Sequence, residues 1–102
     1  MRRSWLGIAA QNRRIDPRIR RHLGLLQESA VEIMSVDGAG PAASAGLQDG
    51  DLVLALDGAP VRSVDDVHRL LSQWPIGRPL PVGALRRVER IDVVVLPTEA
   101  KS

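Results

Sequence analysis

The chain of 102 residues is 44% hydrophobic and 25% charged, with two tryptophans as its only aromatic residues and no cysteine. That length fits one domain, residues 1–102, burying about 65% of the surface its unfolded chain exposes. The lack of cysteine excludes thiol catalysis, iron–sulfur ligation and Cys-based zinc sites. With no run of 18 apolar residues, a membrane span is not expected, and Met1-Arg2-Arg3-Ser4-Trp5 lacks the apolar core of a signal peptide, so any leader is expected outside this chain. Charge is uneven: residues 1–24 carry seven arginines against Asp16, whereas residues 25–68 carry eight acids against Arg62 alone, so the two parts are expected to attract each other. Nucleic-acid binding is not expected, because Trp5 is the one aromatic in the basic segment able to stack on a base.

Residues 6–11 read as a short strand, followed by Asp16-Pro17, an N-cap and first-turn proline that open a helix ended by Gly24. Residues 27–36 suggest a strand through Ala30, Val31, Ile33, Met34 and Val36, closed by Asp37-Gly38-Ala39-Gly40-Pro41. A short helix of small residues, 41–45, precedes Gly46. The apolar run 51–56 closed by Asp57-Gly58 predicts a buried strand entering a tight turn. Ser63, with Asp66 three residues on, has capping-box spacing before a helix whose apolar positions 64, 67, 70, 71 and 74 repeat helically until Pro75 and Gly77. Residues 80–86 and 90–96 predict a terminal hairpin, and residues 98–102 a flexible tail beyond a core of about residues 3–97. The expected class is α+β, with five or six strands and two main helices.

The motifs of catalysis are missing. His22 and His68 are the only histidines and have no ligand spacing, so no metal is expected. Ala42-Ala43-Ser44-Ala45-Gly46 lacks the first glycine of a nucleophile elbow, and Gly7 has no companion at phosphate-loop spacing. Asp65 and Asp66 are explained by the helix dipole in a first turn. No catalytic residue and no cofactor is expected.

Trp5-Leu6-Gly7-Ile8, then Gly40-Pro41-Ala42-Ala43-Ser44-Ala45-Gly46-Leu47-Gln48-Asp49-Gly50-Asp51, then Leu56-Asp57-Gly58 and the helix after Ser63, stand in the order and spacing of a known module. Over nearly its whole length the chain resembles the bacterial PDZ domain that follows the protease domain in HtrA/Deg-type serine proteases. The resemblance implies a PDZ-like, partly open β-barrel or sandwich flanked by two helices, with the permuted strand order of bacterial members. It implies a carboxylate-binding loop of Trp5, Leu6, Gly7 and Ile8, with N–H groups from the last three, and a peptide added as a strand beside Ala9, Ala10 and Gln11. The facing helix is expected to offer Val64, His68 and Leu71 to the groove, with Val67, Leu70 and Trp74 in the core. The alternative phase is Ser63, Val67 and Leu70. Arg2 or Arg3 would add a diffuse positive field.

The protease domain itself is absent. Pro79 and Pro81 remove two N–H donors from the penultimate strand, predicting an edge or one-sided pairing, and Arg87-Val88-Glu89 stands where the family often has Asp-Gly or Gly-Gly.

The expected function is non-enzymatic capture of hydrophobic C-termini or extended segments, in a parent that is a serine endopeptidase of the periplasm or cell envelope. Alternatives are a module of a membrane-embedded protease or secretion component used for docking, and a regulatory domain whose groove takes its own protease domain or a neighbouring subunit. Gly7→Val is expected to remove binding with the fold largely intact.

Overall fold

The computed structural model describes residues 4–99. The elements follow as β1 (Ser4–Trp5), β2 (Ile8–Arg14), α1 (Pro17–Leu23), β3 (Ser29–Val36), α2 (Pro41–Ser44), β4 (Leu52–Leu56), β5 (Ala59–Pro60), α3 (Val64–Gln73), β6 (Leu80–Arg86), β7 (Glu89–Val95) and β8 (Thr98–Glu99). Six strands form one open antiparallel sheet in the order β2-β3-β4-β6-β7, with β5 folded back on β4. The class is α+β, with α1 and α3 as the main helices and α2 a single turn.

Local chemistry sets most boundaries. Asp16 Oδ1 accepts the Arg18 N–H at 2.8 Å, a bond that holds its carboxyl below the usual aspartate value, and Gly24 closes α1 at φ +67°. Asp57 and Gly58 take φ +53° and +78°, the left-handed pair that reverses the chain between β4 and β5. At α3 the Ser63 hydroxyl accepts the Asp66 N–H at 3.3 Å, but Asp66 Oδ2 reaches back to the N–H of Arg62, not of Ser63, at 2.9 Å. The cap therefore spans one residue more than a capping box.

Two expectations on the ends are corrected. Strand β2 continues past Gln11 to Arg14, because Arg13 Nη1 meets Glu32 Oε1 of β3 at 3.2 Å and extends the ladder. Thr98 and Glu99 are not tail: they pair with Trp5 and Ser4 as β8 against β1, and residues 100–102 lie outside the described chain. Strand β6 is internal, between β4 and β7, so it is not an edge; at Pro81 itself the pairing is one-sided, the other alternative expected, since Pro81 pairs with Val94 of β7 one step beyond the last β4 pair, Leu56↔Val82, and its carbonyl accepts the Asp57 N–H at 2.8 Å. In the hairpin Arg87 adopts φ +63° between the paired Arg86 and Glu89.

The main core gathers Val31, Ile33, Val53, Leu56, Val82 and Val95 of the sheet beneath Val67 and Leu71 of α3, and a second cluster of Ile15, Ala30, Leu54 and Leu85 is covered by Ile19 and Leu23. Each such aliphatic side chain contributes about 1.5 to 3 kcal/mol on burial. Behind α2, Asp51 is 1% exposed and receives Arg86 Nε at 3.0 Å, Arg86 Nη2 at 2.8 Å and the Gln48 N–H at 2.9 Å. Arg86 Nη2 also donates to the Gly46 carbonyl at 2.8 Å, so one guanidinium ties the Gly46–Asp51 loop to β6.

Candidate functional site

The segment Trp5-Leu6-Gly7-Ile8 leads into β2 through a turn that needs glycine. Gly7 has φ +78°, and a Cβ there would stand 3.2 Å from Gly40 Cα and 3.3 Å from the Trp5 ring. Its carbonyl accepts the Asp37 N–H at 2.8 Å, and the Leu6 carbonyl accepts the Ala42 N–H at 2.9 Å. The turn is therefore clamped by the Gly40-Pro41-Ala42 segment, and the reciprocal contact holds: a Cβ on Gly40 would lie 3.3 Å from Gly7 Cα. Two motifs more than 30 residues apart in sequence form one support. With backbone on one side and an indole on the other, Gly7→Val is expected to strain the fold as well as the loop.

Between β2 and α3 lies a groove of about 530 Å³. The loop residues Leu6, Gly7 and Ile8 form one end, Ala9 and Ala10 of β2 one wall, and Val64, His68 and Leu71 of α3 the other. Val31 and Val67 form the floor. Among the described residues of this lining, His68 is the only one with a titratable side chain. Strand β2 ends the sheet order, so its outer edge meets the groove with no strand paired to it among the described residues.

The remaining residues divide between the groove and the core. The Gln11 side chain turns to the other face of β2, where its Nε2 donates to Glu32 Oε1 at 2.9 Å; with Arg13 it holds the Glu32 carboxyl below the usual glutamate value. Val67 belongs to the main core, as expected, at 6% exposed, and also lines the groove between Val64 and Leu71. Leu70 and Trp74 pack against that core, partly buried, outside the groove lining; they border a neighbouring cavity where Arg78 stacks 5.0 Å from the Trp74 ring and Trp74 Nε1 donates to the Arg78 carbonyl. Ser63 is engaged in the helix cap. Trp5 stands beside the loop, ordered by the β1–β8 pairing and packed against Gly7. Arg2 and Arg3 lie outside the described residues. Ser44 donates to the Gly40 carbonyl at 3.3 Å within its own helical turn, as a packing residue does. Among the described residues no group of three His, Asp or Glu side chains is placed to hold a metal ion, and no helix is long and apolar enough to cross a membrane.

The family model described as "PDZ domain" matches residues 32–75. The chain is 32% identical over 93 residues, 91% of its length, to a probable periplasmic serine endoprotease DegP-like of Halomonas elongata, of which it covers 19%. To the DegP-like protein of Pseudomonas fluorescens it is 28% identical over 97% of its length, covering 21% of that protein. It thus spans about a fifth of the length of these curated relatives. Among solved structures, the HtrA-type protease AlgW with decapeptide superimposes with a TM-score of 0.80 at 22% identity, over 99% of this chain and 30% of that one. The HtrA3 PDZ domain bound to a phage-derived ligand (FGRWV) gives 0.74 at 17% identity, over 98% of this chain and 89% of that one. At those identities the two structures speak for the fold alone. The matched model, the shared sequence and the shared fold together make this chain a PDZ domain of the kind found in HtrA/Deg-type serine endoproteases.

Proposed function

We propose that this domain captures protein C-termini ending in an apolar residue, by adding them as an extra antiparallel strand to β2. The observation that carries this reading is the outer edge of β2, which has no strand paired to it among the described residues and faces the largely apolar wall of α3 across a groove that ends at the Gly7 turn. A strand edge offers N–H and C=O groups to a partner backbone, and the aliphatic lining favours an apolar side chain over a charged one. At the closed end, the terminal carboxylate is received by the N–H groups of Leu6, Gly7 and Ile8, a reading that the left-handed conformation of Gly7 supports. The solved relatives titled with a decapeptide and with the ligand FGRWV are consistent with such an occupant.

The parent protein is a periplasmic serine endoprotease in this reading, since the curated relatives bear that name and extend well beyond the matched region. The domain then acts by recognition, delivering or sensing chain ends for a catalytic domain outside it. A few strand hydrogen bonds at about 1 kcal/mol each, plus one or two buried side chains at about 1.5 to 3 kcal/mol, less the cost of ordering the peptide, correspond to micromolar affinity. The test is a titration with a peptide ending in valine, free or amidated at its C-terminus. Amidation is expected to weaken binding about tenfold or more, because it removes hydrogen bonds to a charged group. Equal affinity for the two forms overturns carboxylate recognition.

A further inference from the structure

Asn12 lies just beyond the groove lining, yet it ties the two walls together. Its Oδ1 accepts the backbone N–H of Val64 at 2.7 Å. Val64 opens α3, and the first-turn N–H groups of a helix have no partner inside it. Ser63 meets the N–H of Asp66 at this end, while Val64 is met by a side chain from a strand 52 residues earlier. The alternation of β2 explains why Asn12 is available. Ile8 and Ala10 pack toward the core, Gln11 and Arg13 turn to Glu32 on the opposite face, and a period of two returns Asn12 to the face of Ile8 and Ala10. The groove lining stops at Ala10 on β2 and at Val64 on α3. The Asn12 to Val64 bond therefore bridges strand and helix at the end of the groove away from Gly7.

We propose that Asn12 is the end-stop of the groove, a specificity-determining residue that confines side-chain recognition to the last ligand residue and the one two positions before it. The inference rests on the strand-addition reading given above. A strand antiparallel to β2, with its carboxylate at the Gly7 turn, advances about 3.3 Å per residue and turns every second side chain to the groove. The last side chain then lies level with Ile8, and the one two before it level with Ala10, where the small methyl leaves space. The next groove-facing side chain, four before the end, comes level with Asn12, whose amide is hydrogen-bonded across to the first residue of α3. Residues from that point outward pass without being read.

The experiment compares the parent with Asn12→Ala and Asn12→Asp. Two peptides with free carboxylates are used, identical except for Ala or Leu four positions before the end. The parent and Asn12→Asp, which keeps an acceptor for Val64, are expected to bind both peptides within about twofold, whereas Asn12→Ala gains a preference of about fivefold or more for Leu by opening an apolar site. Without any peptide, the Val64 amide is expected to exchange its hydrogen about fivefold faster in Asn12→Ala, the effect of one lost hydrogen bond. A parent that discriminates as strongly as Asn12→Ala overturns the end-stop, and so does unchanged exchange at Val64. Failure of the parent to bind either peptide overturns the strand-addition reading and the end-stop with it, and the exchange measurement then reports only whether the bridge itself exists.

Discussion

Two regions of the sheet are finished in opposite ways. Where β4 begins, the buried carboxylate of Asp51 takes two bonds from Arg86 and one from the Gln48 amide, and the same guanidinium closes on the Gly46 carbonyl. Along β2, beyond the Gly7 turn, the outer edge has no strand paired to it among the described residues and lies beside small side chains, Ala9 and Ala10, and the Val64, His68 and Leu71 face of α3. Saturated polar groups hold a loop against a strand; unsaturated edges and unfilled space take a ligand. The lesson is that this domain gives the two tasks to different residues, so that substitutions can address them one at a time.

The position that most directly breaks this separation is Gly7, which serves both tasks. Gly7→Val is expected to abolish peptide binding and to lower stability by about 2 to 3 kcal/mol, since a β-branched residue must hold a left-handed φ with its Cβ pressed on Gly40. Denaturant unfolding and peptide titration measure the two losses, and a variant of parental stability would show that the Gly7 to Gly40 contact relaxes freely.

Asp51→Ala sharpens the comparison from the other side. It is expected to cost about 2 to 3 kcal/mol by removing the charged acceptor of Arg86 and the bond to Gln48, while peptide affinity measured well below the melting temperature stays within about twofold. A large loss of affinity in the folded variant would mean that the two regions are coupled.

His68→Gln tests the groove alone. Its imidazole stands on the groove wall between Val64 and Leu71, so replacing it with a smaller amide removes surface that an apolar ligand residue packs against and is expected to weaken peptide affinity a few-fold. Titration of one peptide against parent and variant measures the difference. Equal affinity in both proteins would remove His68 from the ligand's surroundings.

The smallest effect is expected on the far face of β2. Gln11→Ala takes away the main cause of the lowered Glu32 value, so an NMR titration should find that carboxyl closer to its ordinary value of 4.5. Since the folded value is the lower one, the stability Glu32 contributes is present above 4.5 and lost as pH falls through the lowered value, and the variant should lose less on acidification. Peptide affinity should not change, since Gln11 lies outside the groove.

The amino-acid sequence determined the elements whose causes are local: the Asp16-Pro17 start and Gly24 end of α1, the Asp57-Gly58 reversal, and the helix following Ser63, each decided by side chains within four residues. The WLGI and GPAASAGL segments were legible as motifs, but not their contact, because nothing in either shows that Gly7 and Gly40 come so close that a Cβ on one would press on the Cα of the other. Tertiary structure decided three further points. Strand β8 is ordered by pairing with β1, across the length of the chain. Val67 is a core residue by its helical spacing, and that it also lines the groove follows from the packing of α3 beside β2, which the spacing does not specify. Asn12, an unremarkable polar residue in a strand, acquires its partner only when α3 presents the Val64 amide to it. Caps and turns depend on short-range geometry that the chain carries in its order, whereas walls, floors and bridges depend on where distant segments pack, which is set by the burial of the whole apolar core.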